Sequence, residues 1–176
     1  IKFARINKIP FFGICLGMQL ATIEFARNVL NISDAHSTEF DLECTNIFDL
    51  MQNQIKDNNL ENQSSKTKIG GTLRLGNYKC TLEKNSKIQN IYKSLQIEER
   101  HRHRYEFNVS FEDKFINSDL SFSGMSSDNK YVETMELKNH PWFIGVQYHP
   151  EYKSRPFSPH PLFISFISSA KNKLNS

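Results

Sequence analysis

The chain has 176 residues, 38% hydrophobic, 12% aromatic and 23% charged, which suits one soluble globular domain with its own core. Its 22 basic and 19 acidic residues leave a net charge of +3, a near balance that gives little reason to invoke nucleic acid or an anionic membrane. Three cysteines, Cys15, Cys44 and Cys80, are odd in number and lack CxxC spacing, which argues against a disulfide scaffold or a zinc site and fits a reducing cytoplasm.

The sequence opens on Ile1-Lys2-Phe3-Ala4-Arg5, without Met or a signal-peptide pattern, and Phe3, Ala4 and Ile6 read as the end of a helix. No apolar segment approaches the roughly 20 residues of a membrane span. An apolar strand follows from Ile9 to Ile14 and delivers Cys15 between Gly13 and Gly17. Met18, Ala21, Phe25 or Ala26, and Val29 then recur at helical spacing. Strand, sharp turn with one nucleophile, then helix is the layout of a nucleophile elbow, here with Cys in place of Ser. Flanking glycines let such a side chain jut out without a Cβ clash, and the helix N-terminus favours a thiolate. A buried Cys after an apolar strand is also an ordinary small hydrophobe, so the motif needs a base beside it.

Asn31 to Asp34 closes the helix with turn formers, and Ser37-Thr38-Glu39-Phe40 reads as a cap or solvated loop. Residues 50–68 are polar and aperiodic, a surface insertion, and Gly70-Gly71 marks a turn. Tyr78 to Leu82 alternates as a strand and Ile88 to Tyr92 reads as a short helix. Three readings compete for Arg100-His101-Arg102-His103-Arg104-Tyr105: a nucleic-acid patch, a two-histidine metal site, or a strand with the arginines on one face. The near-neutral chain weakens the first reading. The second lacks a Cys or acidic partner at matching spacing. Phe122 to Met135 forms two strands around a turn at Ser127-Asp128-Asn129, and His140 sits in a turn.

Phe143 to Glu151, FIGVQYHPE, supplies the base. In an extended segment His149 and Glu151 share a side, so a carboxylate can hold the imidazole while its other nitrogen faces a thiol. Cys15, His149 and Glu151 then compose a triad for acyl transfer. A proline-stiffened loop spans residues 154–161, and a final amphipathic helix over 162–173 buries Leu162, Phe163, Phe166 and Ile167.

GICLGMQ followed by QYHPE resembles the class I, triad-type glutamine amidotransferases. AHSTEF, ERHRHRYEFN and HPEYKSRPFSPHPLF narrow the resemblance to the glutaminase domains of CTP synthases, from Phe3 to about Ile167. The resemblance implies an α/β fold: an open, mostly parallel, flavodoxin-like central sheet flanked by helices, with residues 1–176 as one glutaminase domain. It implies Cys15, His149 and Glu151 as catalytic residues. Leu16, Gly17, Met18, Gln19, Glu39 and Arg104 would bind glutamine, Glu39 taking the substrate ammonium. It implies a lid at Gly70-Gly71 that responds to GTP as allosteric activator, and no metal on this chain. ATP, Mg²⁺ and UTP belong to an upstream amidoligase domain, the chain's natural partner in a homotetramer. Earlier strands and a Gly loop that donates to the oxyanion hole would precede Ile1. The chain is therefore read as a fragment, and a fragment alone is expected to hydrolyse glutamine poorly. The glutaminase domain of another class I amidotransferase is the alternative.

Overall fold

The computed structural model describes residues 1–50 and 73–175. Both the polar stretch beyond Leu50 and the Gly70-Gly71 turn expected from the sequence lie outside the described residues. After a short helix α1 (Lys2–Ile6) the chain enters β1 (Phe11–Ile14), turns at Cys15 and runs into α2 (Leu16–Asn28). Strands β2 (Ala35–Ser37), β3 (Thr45–Leu50) and β4 (Arg74–Leu82) precede α3 (Lys87–Tyr92). Then come β5 (Gln96–His103), β6 (Tyr105–Phe107), α4 (Glu112–Phe115), β7 (Leu120–Ser126), β8 (Val132–Leu137), β9 (Phe143–Val146) and α5 (Pro161–Leu174).

Six strands form one sheet in the order β1-β9-β8-β7-β4-β5, and β2-β3-β6 form a second, smaller one. The α/β class holds, but the parallel character does not. In the larger sheet only β1 and β9 run parallel, while every other described pair is antiparallel. Short turns explain the difference, because β7, β8 and β9 follow one another too closely for a parallel crossover. Helix α2 covers one face, where Met18, Ala21, Ile23, Phe25 and Ala26 pack with Met135, Leu137 and Phe143. On the other face Leu162 of α5 and Ile88 of α3 meet Trp142, Ile144, Val146 and Tyr148. Strands β8 and β9 are buried throughout, as central strands between two helical layers must be.

Two local expectations change, and a third residue gains partners. Val29 caps α2 from outside and is 38% exposed, because the helix ends at Asn28. Ile167 points to solvent at 63% exposure, and Trp142 Nε1 instead donates to Ser165 Oγ at 2.9 Å on the inner side of α5. His140 is buried: its Nδ1 accepts from the Trp142 N–H, and its Nε2 donates to the Ala4 carbonyl, tying α1 to the turn before β9.

Candidate active site

The register of β1 on β9 pairs Ile14 with Val146, and the Cys15 N–H continues the ladder by donating to the Val146 carbonyl at 2.8 Å. Residue 15 therefore emerges beside residues 147 to 149. Cys15 has φ 51° and ψ −108°, a left-handed conformation that costs a non-glycine residue of order 1–3 kcal/mol. Gly13 is indispensable to this turn, since a Cβ there would lie 2.7 Å from the Gly17 backbone. Gly17 differs from the expectation: a Cβ on it would meet nothing within 4 Å. The elbow needs one bare backbone where strand and helix cross, not two.

Burial pushes the Cys15 thiol up, and the Leu16 N–H at the start of α2 opposes it. The helix terminus alone therefore does not produce the thiolate expected from the sequence. A base is required, and His149 lies on the neighbouring chain segment. Its Nδ1 donates to Glu151 Oε1 at 2.6 Å, which fixes the tautomer and leaves a lone pair on Nε2. Nε2 is buried and has no hydrogen-bond partner among the described residues. The pairing arises differently from the expectation. Pro150–Tyr152 is a 3₁₀ turn, so Glu151 folds back onto the ring instead of sharing the side of an extended strand. The ring is further held by stacking on Tyr152 at 5.1 Å and by the His149 N–H bond to the Arg100 carbonyl.

A cleft of about 330 Å³ opens over the sulfur. Cys15, Leu16, Gln19, Glu39, Leu73, Arg102, His103, Arg104 and Tyr105 line it. It thus gathers five of the nine expected site residues. Glu39 and Arg104 supply opposite charges to the lining, a complement to an amino acid's ammonium and carboxylate. Gln19 donates from Nε2 to the Tyr105 carbonyl and to Gln147 Oε1, both at 3.2 Å, while its own Oε1 is buried without a partner among the described residues. Met18 does not join the cleft. Its side chain is fully buried in the core against the Gly145 backbone. Gly17 is not among the lining residues either.

Arg104 and Tyr105 enter the cleft through a feature that period two does not anticipate. Alternation holds as far as His103, with His101 and His103 inward and Arg100 and Arg102 outward. At Arg104 the chain leaves β5 in the larger sheet and enters β6 in the smaller one, which turns Arg104 and Tyr105 together to the cleft. The two histidines bond to each other: His101 Nδ1 donates to His103 Nε2 at 2.9 Å, and His103 Nδ1 donates to the Tyr105 carbonyl at 3.2 Å. Burial holds both well below the usual imidazole range, so both are neutral.

Behind them lies a cluster not evident from the sequence. Arg74 pairs with Glu106 at 2.9 Å and Glu133 at 2.7 Å, and its guanidinium lies 4.5 Å from the Tyr78 ring. Burial pushes Glu106 up to about 8 despite the arginine.

A family model described as glutamine amidotransferase class-I matches residues 1–169. Among curated relatives, the CTP synthase of Pelagibacter ubique is 59% identical over 172 residues, covering 98% of this chain and 32% of that protein. The CTP synthase of Treponema denticola is 54% identical over 176 residues, covering 99% and 31%. A solved structure described as the glutaminase domain of Trypanosoma brucei CTPS with bound acivicin superposes with a TM-score of 0.85 at 36% identity, covering 97% of this chain and 63% of that one. The chain spans about a third of the length of the curated relatives it matches. By the extent of the family match, the chain belongs to the class-I glutamine amidotransferases.

Proposed function

We propose that this chain is the glutaminase domain of a CTP synthase. The observation that carries the reading is the meeting of three features: a strained Cys15, a carboxylate-held His149 with a bare Nε2, and a cleft walled by opposite charges. Glutamine would lie with its ammonium toward Glu39, its carboxylate toward Arg104, and its side-chain amide over Cys15.

His149 Nε2 takes the Cys15 proton as sulfur attacks the amide carbon, forming the C–S bond and a tetrahedral oxyanion beside the Leu16 N–H. The imidazolium returns that proton to the amide nitrogen as the C–N bond breaks, releasing ammonia and leaving a thioester. Water then attacks the thioester carbon while His149 takes its proton. The C–S bond breaks to give glutamate, and the proton returns to sulfur. Glu151 holds the ring and its charge through both halves.

Ammonia would pass to an amidoligase domain of the same protein, where ATP with Mg²⁺ activates UTP and amination gives CTP. GTP as allosteric activator, a homotetramer carried by that domain, and a cytoplasmic location belong to the same proposal. It is supported by the 59% identity to a CTP synthase over nearly the whole chain.

The test is CTP formation by the full-length protein and its Cys15→Ala variant, with glutamine or with ammonium as nitrogen donor. Loss of the glutamine reaction with the ammonium reaction intact is the expected result. Survival of both would make Cys15 structural and sink the proposal. No CTP from either donor in the wild type would point to another class I amidotransferase.

A further inference from the structure

Gln147 takes no part in the steps above, yet it touches the reacting atom. It is fully buried just past the end of β9. Its Oε1 accepts from Gln19 Nε2 at 3.2 Å, and its Nε2 donates to Cys15 Sγ at 3.7 Å. Sulfur is large and diffuse, so an N–H reaches it at a longer distance than it reaches oxygen.

The direction of this amide is fixed from its far end. The Tyr105 carbonyl can only accept, and it receives both the Gln19 Nε2 and the His103 Nδ1 hydrogens. Gln19 must therefore present its NH₂ group there, and its second hydrogen points at Gln147. Gln147 must answer with its carbonyl oxygen, which leaves its own NH₂ facing the sulfur. Flipping the Gln147 amide would set one NH₂ group against another and a lone pair against Cys15.

From this relay we propose that Gln147 is a further catalytic residue, whose amide N–H stabilises the charged sulfur of Cys15 under the guidance of Gln19 and the Tyr105 carbonyl. Its catalytic meaning rests on the glutaminase proposal; the hydrogen bond to sulfur does not. Burial opposes charge on Cys15 and the Leu16 N–H only partly offsets this, so a second donor acts where it is needed. The same donor helps twice, because sulfur is charged both when it attacks and when it leaves the thioester.

The test is the pH dependence of Cys15 alkylation by iodoacetamide in the full-length protein, read by mass spectrometry on the Cys15 peptide so that Cys44 and Cys80 do not contribute. Gln147→Met removes the donor at nearly constant volume. It is expected to move the alkylation midpoint up by about one pH unit, which is about tenfold less thiolate at neutral pH. Gln147→Glu keeps the shape but turns a carboxylate oxygen to the sulfur, and should move the midpoint further. The kcat for glutamine should fall in both while KM stays, a split that a purely packing role would not give. An unchanged midpoint in either variant that melts like the wild type overturns the proposal. A wild type that does not hydrolyse glutamine, with the midpoint shift still present, would instead fault the glutaminase reading alone.

Discussion

The Cys15 cleft and the Arg74 cluster share the Glu106 strand and the His101–His103 pair, but they hold their carboxylates differently. Next to Cys15 the carboxylate that serves His149 is 44% exposed and bonds an imidazole. In the cluster Glu106 and Glu133 are fully buried, and one guanidinium closes on both. Buried charge is tolerated only when paired, whereas a site must keep donors and acceptors open for its substrate. Arg74 ties β4, β6 and β8 together behind the cleft.

Substitutions in the two regions should separate activity from stability. Cys15→Ala or His149→Ala should cost three or more orders of magnitude in glutamine hydrolysis while the melting temperature stays near that of the wild type, on the order of other nucleophile or base deletions. Arg74→Met should do the reverse. It leaves the Glu106 and Glu133 carboxyl groups buried without their guanidinium and should destabilise by about 3–5 kcal/mol in denaturant titration. Adding Glu106→Gln and Glu133→Gln should recover much of that loss. No recovery would mean that the cluster stabilises by more than charge balance.

Gly13→Ala should cost about 1–3 kcal/mol, because its Cβ must displace backbone and not a side chain. Gly17→Ala should cost less, about the helix-neutral range of a few tenths of a kcal/mol either way. A smaller effect concerns pH. Glu106 binds its proton more tightly folded than unfolded, so its contribution is fully present below about 4.5 and is lost as pH rises through about 8. Wild-type stability should fall across that window relative to Glu106→Gln, with a slope of at most about 1.4 kcal/mol per pH unit. Parallel pH profiles would show that Glu106 is already ionised.

The parts legible in the sequence are those whose signal is local. GICLG announces the elbow because strand, glycine and helix period meet within a few residues. His149-Pro150-Glu151 announces the base pair, although the 3₁₀ turn that forms it breaks the alternation used to read it. Gln147 was not legible, since its meaning depends on α2 and β9 lying side by side, 128 residues apart in the chain at the Gln19 contact. Arg74 and Glu133 are separated by 59 residues and meet only because β4 and β8 flank β7. Ile167 failed for the opposite reason. A motif or a helical period assigns a residue to a site or a face, but the helix's own rotation on the sheet decides which side chains are swallowed.

Acid quenching shows whether Cys15 forms a thioester with glutamine. Full-length protein carrying Glu151→Gln, which should slow hydrolysis of the intermediate, is mixed with glutamine, quenched in acid and digested for mass spectrometry. A glutamyl adduct on the Cys15 peptide, absent from the Cys15→Ala control, is the predicted result. An adduct on Cys44 or Cys80, or none on any cysteine while glutamate still accumulates, would contradict the account.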